Sequence, residues 1–230
     1  MTQDPGAKSS RELPALVPLF PLPNVVLFPS AVLPLHIFEE RYKQMTADVL
    51  RSHRQVAMAL LRAGWEKDYY GRPAIEPVVC VGTILSHERL ADGRYNFLLQ
   101  GHTRARVARE VRRGEEPYRL AELTPLEEVP APESELTELR RRLAAMLGRE
   151  SYAAALPGGM QFREMLGAAA MPTATVADLL AFHALPVEQV GFRQSLLAEP
   201  NVRRRVETVA SALEAMHPAW RNVPQNSSLN

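Results

Sequence analysis

The chain has 230 residues, of which 46% are hydrophobic and 23% charged, a composition typical of a folded globular protein and unlike a disordered or fibrous chain. Its 27 Lys and Arg residues nearly balance its 26 Asp and Glu residues, so the net charge of +1 provides no overall field for a polyanion. The single Cys80 excludes an internal disulfide and a cysteine-rich zinc site. With no apolar run long enough for a membrane span, these features predict a cytoplasmic protein.

Prolines dominate the first predicted segment. Residues 14–34 contain six of the chain's 19 prolines, set among Leu, Val and Phe side chains. Proline has a fixed φ and no backbone N–H, so this segment cannot form a helix or an uninterrupted central strand. We predict short extended pieces that are joined by turns and buried through their apolar side chains.

The pattern then changes to one helix and a series of strands. Apolar residues recur at helical spacing from Phe38 to Arg51 and predict an amphipathic helix. Strand-like runs follow at 55–62, 77–90, 94–100, 103–111 and 118–126. Asp92-Gly93 lies between two of these runs and predicts a tight hairpin. Several strands with one early helix favour a curled sheet or a small barrel over a parallel sheet.

The last hundred residues have helical patterns. A polar, proline-bounded linker at 127–135 precedes a helix for which Ser134 is the predicted N-cap. Thr175 and Asp178 have the spacing of a capping box for the next helix, and a final helix is predicted over 201–217. The first of these helices has one apolar stripe, formed by Leu136, Leu139, Leu143, Met146 and Leu147. Helices of this kind need a surface to pack on, so we predict a small bundle.

Known catalytic and cofactor motifs are absent from the sequence. There is no phosphate-binding G-x-x-x-x-G-K-[ST] loop, no G-x-G-x-x-G, no H-E-x-x-H and no G-x-S-x-G. Cys80 lies in an apolar strand run, where a free thiol usually packs as a small hydrophobe. We therefore predict no catalytic residue, no metal site and no cofactor.

Three segments of the sequence contain a distinctive series of motifs. The first is LFPLPNVVLFPSAVLPLHIFEERYKQM (19–45), in which L-F-P-L, a second F-P and P-L-H-I-F-E-x-R-Y follow one another. The second is VGTILSHERLADGRYNFLLQGHTRARV (81–107), with a G-T-I, a D-G-R-Y-N hairpin and a G-x-x-R strand. The third is ADLLAFHALP (177–186). In this order the segments resemble the N-terminal, substrate-recognition domain family of the ATP-dependent Lon protease, the third of them its helical part.

The resemblance implies an α+β fold, in which a PUA-like β pseudo-barrel with one inserted helix is followed by a C-terminal helical bundle. The predicted organisation is a disordered tail at 1–12, the β domain at 13–128, the bundle at 133–218 and a flexible tail at 219–230. The resemblance also implies binding of unfolded or tagged polypeptides in protein quality control, with an ATP-dependent protease as a partner. The sequence has no ATPase or peptidase motif, so we expect a stand-alone, non-catalytic recognition module. Exposed apolar faces on the helices would also permit a homodimer.

Two surfaces are candidates for binding. The loop AGWEKDYYGRPAIE (63–76) places Trp65, Tyr69 and Tyr70 among charged residues, where aromatic rings provide contact area for a polypeptide. The alternative interpretation of these rings is that they cover the end of the barrel. The alternative function is RNA binding, in which Arg104 and Arg106, on one face of a strand, contact phosphates. The nearly neutral charge argues against nucleic acid as a partner.

Overall fold

A computed structural model describes residues 13–112, 114, 116–148, 159–167 and 171–220, with no side-chain detail for 217–220. The chain divides into two compact units. The β unit comprises the residues up to Pro23 and Val32–Leu126; the helical unit comprises Asn24–Ala31 and the residues from Glu127 onward. The predicted tail at 1–12 lies outside the described residues, as does most of the tail predicted at 219–230.

The described part of the β unit contains six strands, one helix and a short 3-10 helix at Trp65–Asp68. The strands are β1 (Val17–Leu22), β2 (Val32–Ile37), β3 (Gln55–Leu60), β4 (Val78–Arg89), β5 (Tyr95–Val111) and β6 (Arg119–Pro125). The helix α1 (Glu40–Leu50) lies between β2 and β3, at the position that the apolar spacing predicts. Two runs expected as separate strands, 94–100 and 103–111, form the single long strand β5.

The strands form a closed barrel with one additional strand. Their order is β2-β5-β4-β3-β1-β6, and β6 pairs again with β5, which closes β1, β3, β4, β5 and β6 into a ring. The pairing of β1 with β3 is parallel and the other pairings are antiparallel. Strand β2 lies outside the ring, along the first six residues of β5. The predicted PUA-like pseudo-barrel with an inserted helix is confirmed.

The prolines of β1 are compatible with the position of this strand between β3 and β6 in the barrel. Val17, Pro18 and Leu19 pair with β6, whereas the residues from Leu19 to Leu22 pair with β3. Most positions of β1 are therefore paired on one side only, which accommodates the missing N–H of Pro18 and Pro21. The core of the barrel consists of aliphatic residues, mostly alanine and valine: Val17, Leu19, Ala57, Ala59, Val79, Val81, Ala105 and Ala121.

Two irregularities in the β4–β5 pairing shape the surface. At Gly82 the neighbouring strand approaches so closely that an added Cβ would lie 2.8 Å from the carbonyl oxygen of Gln100. The register also shifts between Ile84 and Ser86, so Leu85 is an extra residue on β4. A bulge of this kind redirects the side chain of its extra residue, and Leu85 is exposed.

The described part of the helical unit has five helices: α2 (Glu133–Leu147), α3 (Gly159–Gly167), α4 (Thr173–His183), α5 (Val190–Ala198) and α6 (Val202–Trp220). The predicted apolar stripe of α2 is buried as expected. None of the helices in these ranges is both long and apolar enough to cross a bilayer.

Both predicted N-caps in the helical unit are wrong. Helix α2 begins at Glu133, before Ser134, and helix α4 begins at Thr173, before Thr175. At the start of α4, the backbone N–H of Thr173 donates a 2.8 Å hydrogen bond to Oε1 of Glu133, a residue far away in the sequence. Asp178 is buried and its carboxylate lies 3.1 Å from Nε of Arg205, so it contributes to the core of the unit.

Candidate functional site

The structure brings the three predicted aromatic residues together. The Trp65 ring contacts Tyr69 edge-on at a centroid distance of 5.5 Å, and Tyr69 contacts Tyr70 in the same way at 5.1 Å. The backbone makes this possible because a bridge between Leu61 and Ile75 closes the base of the loop. We call Trp65, Tyr69 and Tyr70 the aromatic loop.

The three rings differ in how firmly they are held. The hydroxyl of Tyr69 donates a 2.7 Å hydrogen bond to Oε1 of Glu39, and the Arg41 guanidinium lies 5.2 Å from the centre of its ring. Burial and the hydrogen bond to Glu39 raise the pKa of Tyr69 above its ordinary value. Tyr70 is 90% exposed. Tyr69 therefore anchors the loop to the start of α1, and Tyr70 presents a ring to solvent.

A second surface, which no local sequence pattern indicates, lies on the outer face of β2, β5 and β4. It is a groove of about 460 Å³. We call it the sheet-face groove; its lining includes Pro34, His36, Ser86, Glu88, Asn96 and Leu98. The pairing register explains the set, because Pro34 lies opposite Leu98, and Asn96 lies between His36 and Glu88 on the neighbouring strands.

Exposed apolar side chains surround this groove. Leu98 is 39% exposed and Phe38 is 62% exposed, and the Phe38 ring stacks on His36 at 6.2 Å. The expectation that Phe38 belongs to the buried stripe of a helix is wrong, because α1 begins two residues later, at Glu40. The alternation in β5 could have revealed Leu98, because Tyr95, Phe97 and Leu99 point inward and place Leu98 outward.

A chain of polar side chains orders one end of the groove. Nδ1 of His36 lies 2.7 Å from Oδ1 of Asn96, and Nη1 of Arg94 lies 3.2 Å from Nε2 of His36. This arrangement fits a neutral imidazole that donates from Nδ1 to the amide oxygen and accepts from the guanidinium at Nε2. Arg94 is in turn paired with Asp92 in the predicted hairpin, where Gly93 has a φ of +82°.

The structure separates the two arginines of the RNA-binding alternative. Arg104 is only 5% exposed, whereas Arg106 is on the surface. Arg104 therefore cannot contact an RNA phosphate in this fold, and the expected pair of surface arginines is not formed. Within the described ranges, no three His, Cys, Asp or Glu side chains are placed to hold a metal ion.

Comparison with known proteins connects this fold to one family. The family model of the ATP-dependent protease La (LON) substrate-binding domain matches residues 16–215. A crystal structure of a Lon N-terminal domain protein from Xanthomonas campestris is 27% identical, with a TM-score of 0.58 over 85% of this chain and 97% of that chain. The N-terminal domain of a Mycobacterium avium complex Lon protease shares the fold at 18% identity, with a TM-score of 0.65 over 86% of this chain and 98% of that chain.

The curated relatives are much longer proteins. Lon protease 2 of Syntrophobacter fumaroxidans is 26% identical over 205 residues, which are 89% of this chain and 25% of the relative. Lon protease 2 of Myxococcus xanthus is 26% identical over 91% of this chain and 24% of the relative. The chain thus spans about a quarter of the length of these relatives. Because the family model matches most of its residues, the chain belongs to the Lon substrate-binding domain family.

Proposed function

We propose that this protein is a non-catalytic module that binds unfolded or tagged polypeptides in protein quality control and presents them to an ATP-dependent protease. The observation that carries the proposal is the exposed apolar sheet-face groove in a chain of the Lon substrate-binding family. Apolar side chains that are normally buried become exposed when a protein unfolds, so an apolar groove distinguishes unfolded clients from folded ones.

An extended polypeptide segment fits the shape of this surface. Among the described strands, β2 pairs only with β5, so its other edge has backbone groups available to an added strand. Pro34 provides no N–H at that edge, which limits the ladder that a bound segment can form. We therefore assign most of the binding energy to apolar side chains packed on Leu98 and Phe38, and little to backbone pairing.

The aromatic loop is a second proposed contact for the polypeptide. Its exposed ring, Tyr70, and the half-buried Trp65 offer contact area with few side-chain torsions to immobilise. Tyr69 has a positioning role in this proposal, because its hydroxyl is bonded to Glu39.

Fluorescence anisotropy with labelled casein, an unfolded model polypeptide, tests the proposal. Leu98→Asp places a charge in the groove and should weaken binding about tenfold or more, equivalent to a loss of about 1.4 kcal/mol. Trp65→Ala combined with Tyr70→Ala should give a smaller loss. Val187→Asp is the matched control, because Val187 is 61% exposed and lies on the helical unit, outside the groove.

Two results would contradict this proposal. One is the absence of saturable casein binding by the unmodified protein at high micromolar concentration. The other is an equal loss for Leu98→Asp and Val187→Asp, which would show that a new surface charge reduces binding wherever it is placed. Circular dichroism of each variant checks that the fold is retained.

A further inference from the structure

A polar cavity of about 280 Å³ lies beside the aromatic loop and is separate from the lining of the sheet-face groove. Of the charged residues described in its wall, four are arginines and one is a glutamate: Arg41, Arg72, Arg112, Arg119 and Glu116. We call it the arginine cavity. The arginines come from α1, from the segment after the 3-10 helix, from the β5–β6 hairpin and from β6. Guanidinium groups thus approach one space from several directions.

This concentration of positive charge is local. The whole chain has a net charge of only +1, so an average surface region has no excess of cations. Two carboxylates outside the lining pair with these arginines: Glu110 with both Arg119 and Arg72, and Glu39 with Arg41. One carboxylate therefore serves two guanidinium groups, and the Arg72–Glu110 separation of 3.6 Å is the longer of the two contacts. Arg72 and Arg112 are exposed, so their N–H groups can reach a ligand.

The deepest arginine is rigidly held. The side chain of Arg119 is 9% exposed, its Nε donates to Oε2 of Glu110 at 2.9 Å, and its Nη1 donates to the Pro73 carbonyl at 2.8 Å. A second bond from Nη2 to Glu110 completes a bidentate pair. A guanidinium fixed in this way loses little side-chain entropy when a ligand binds.

Tyrosine side chains complete the wall. Tyr42 and Tyr118 line the cavity, and the Tyr118 hydroxyl donates to Oδ2 of Asp48 at 2.9 Å. Burial raises the pKa of Tyr42 to about 12, so its hydroxyl stays protonated at neutral pH. Tyr70 lines the same cavity with a ring that is almost fully exposed. An anion with a flat organic group attached could therefore place the group against this ring.

We propose that the arginine cavity binds a phosphate monoester through Arg72, Arg112 and Arg119. A carboxylate presents two oxygens in one plane, which a single guanidinium can satisfy, whereas a phosphate presents three terminal oxygens to donors from different directions. The cavity has room for one phosphate and a small attached group, which is too little for a folded partner. The inference is independent of polypeptide binding at the sheet-face groove.

Isothermal titration calorimetry with inorganic phosphate and with ribose 5-phosphate tests the site. We expect saturable binding that Arg72→Ala combined with Arg112→Ala weakens about tenfold or more, because hydrogen bonds to charged groups are lost. Arg106→Ala is the matched control, since Arg106 is an exposed arginine of β5 outside the cavity, and it should change the affinity less than about twofold. Amide chemical shifts of Tyr70 and Gly71 should move on titration in the unmodified protein.

A second pair of ligands shows which kind of molecule carries the bound phosphate. A phosphoserine peptide and its unphosphorylated form distinguish a phosphorylated polypeptide from a small metabolite, and tight binding of either phosphate compound supports the site. The proposal is overturned if millimolar phosphate gives no saturable binding. It is also overturned if acetate binds as well as phosphate, or if Arg106→Ala reduces the affinity as much as the double variant does.

Discussion

Arg205 in the helical unit and the exposed arginines of the cavity in the β unit are used in opposite ways. In the helical unit Arg205 is 1% exposed, and its guanidinium contacts Glu128 at 2.7 Å, Asp178 at 3.1 Å and the Glu199 carbonyl at 2.8 Å. In the β unit, Arg72 and Arg112 lie exposed on a cavity wall. A buried charge must be paired within the fold, whereas an exposed one can exchange water for a ligand. Burial thus distinguishes Arg205, which holds the fold, from Arg72 and Arg112, which are available for binding.

The largest expected effect concerns Arg205, the buried arginine of the helical unit. Arg205→Met should lower the free energy of unfolding by about 3 to 5 kcal/mol, because the buried carboxylate of Asp178 loses the guanidinium that faces it. Urea unfolding followed by circular dichroism measures the change. Adding Asp178→Leu to this variant should recover part of the stability, since the second change removes the buried carboxylate that Arg205 faces.

Arg112→Ala provides the comparison within the same assay. It removes the same residue type from the cavity wall and should change the free energy of unfolding by less than about 1 kcal/mol. Similar losses for Arg205→Met and Arg112→Ala would contradict the distinction between the buried and the exposed arginine.

A smaller effect concerns the anchor of the aromatic loop. Tyr69→Phe removes the hydrogen bond to Glu39 and should lower the free energy of unfolding by about 1 kcal/mol or less. Tyr70→Phe is the matched control, because Tyr70 is almost fully exposed and should leave stability unchanged. If both variants are equally stable in urea, Tyr69 does not anchor the loop and the loop is held by its backbone alone.

The smallest expected effect is a pH dependence in the β unit. Burial lowers the pKa of His53 below its ordinary value of 6.5, and its Nδ1 accepts a hydrogen bond from the Gln55 N–H at 3.0 Å. The unfolded chain therefore binds the proton more readily, so the contribution of His53 is fully present above about pH 6.5 and declines as the pH falls below that value.

Two measurements check this sign. The imidazole pKa of His53, measured by NMR in the folded protein, should lie below 6.5. The loss of stability between about pH 7 and pH 5 should be smaller in His53→Gln than in the unmodified protein. A pKa above 6.5 would reverse the expected direction.

Much of the fold follows from local pattern. The proline-rich segment, the helix before β3, the Asp92-Gly93 hairpin and the apolar stripe of α2 are each determined by neighbouring residues, and the structure has them where the sequence predicts them. The caps of α2 and α4 could not be predicted in the same way. Glu133 bonds to Thr173, forty positions later in the chain, and no local spacing reveals such a contact.

The candidate sites, too, could be predicted only where their residues are close in sequence. The aromatic loop was predicted because its rings are close in sequence, and the structure brings them into contact. Arg104 and Arg106 have the same chemistry and suitable spacing, yet burial separates them. The sheet-face groove and the arginine cavity each gather residues from separate elements, so they become visible only once the strand register and the position of α1 are known.

The segment Asn24–Ala31 carries a practical consequence for fragment design. It belongs to the helical unit although β1 and β2 on either side of it belong to the β unit, and its Val26, Leu27 and Phe28 are buried. A fragment truncated after Leu126 would keep this apolar segment but lose the helices of the same unit. It would expose the three hydrophobic side chains to solvent and favour aggregation. Expressing the barrel by itself therefore calls for a short polar replacement of residues 24–31 as well as a new C-terminus.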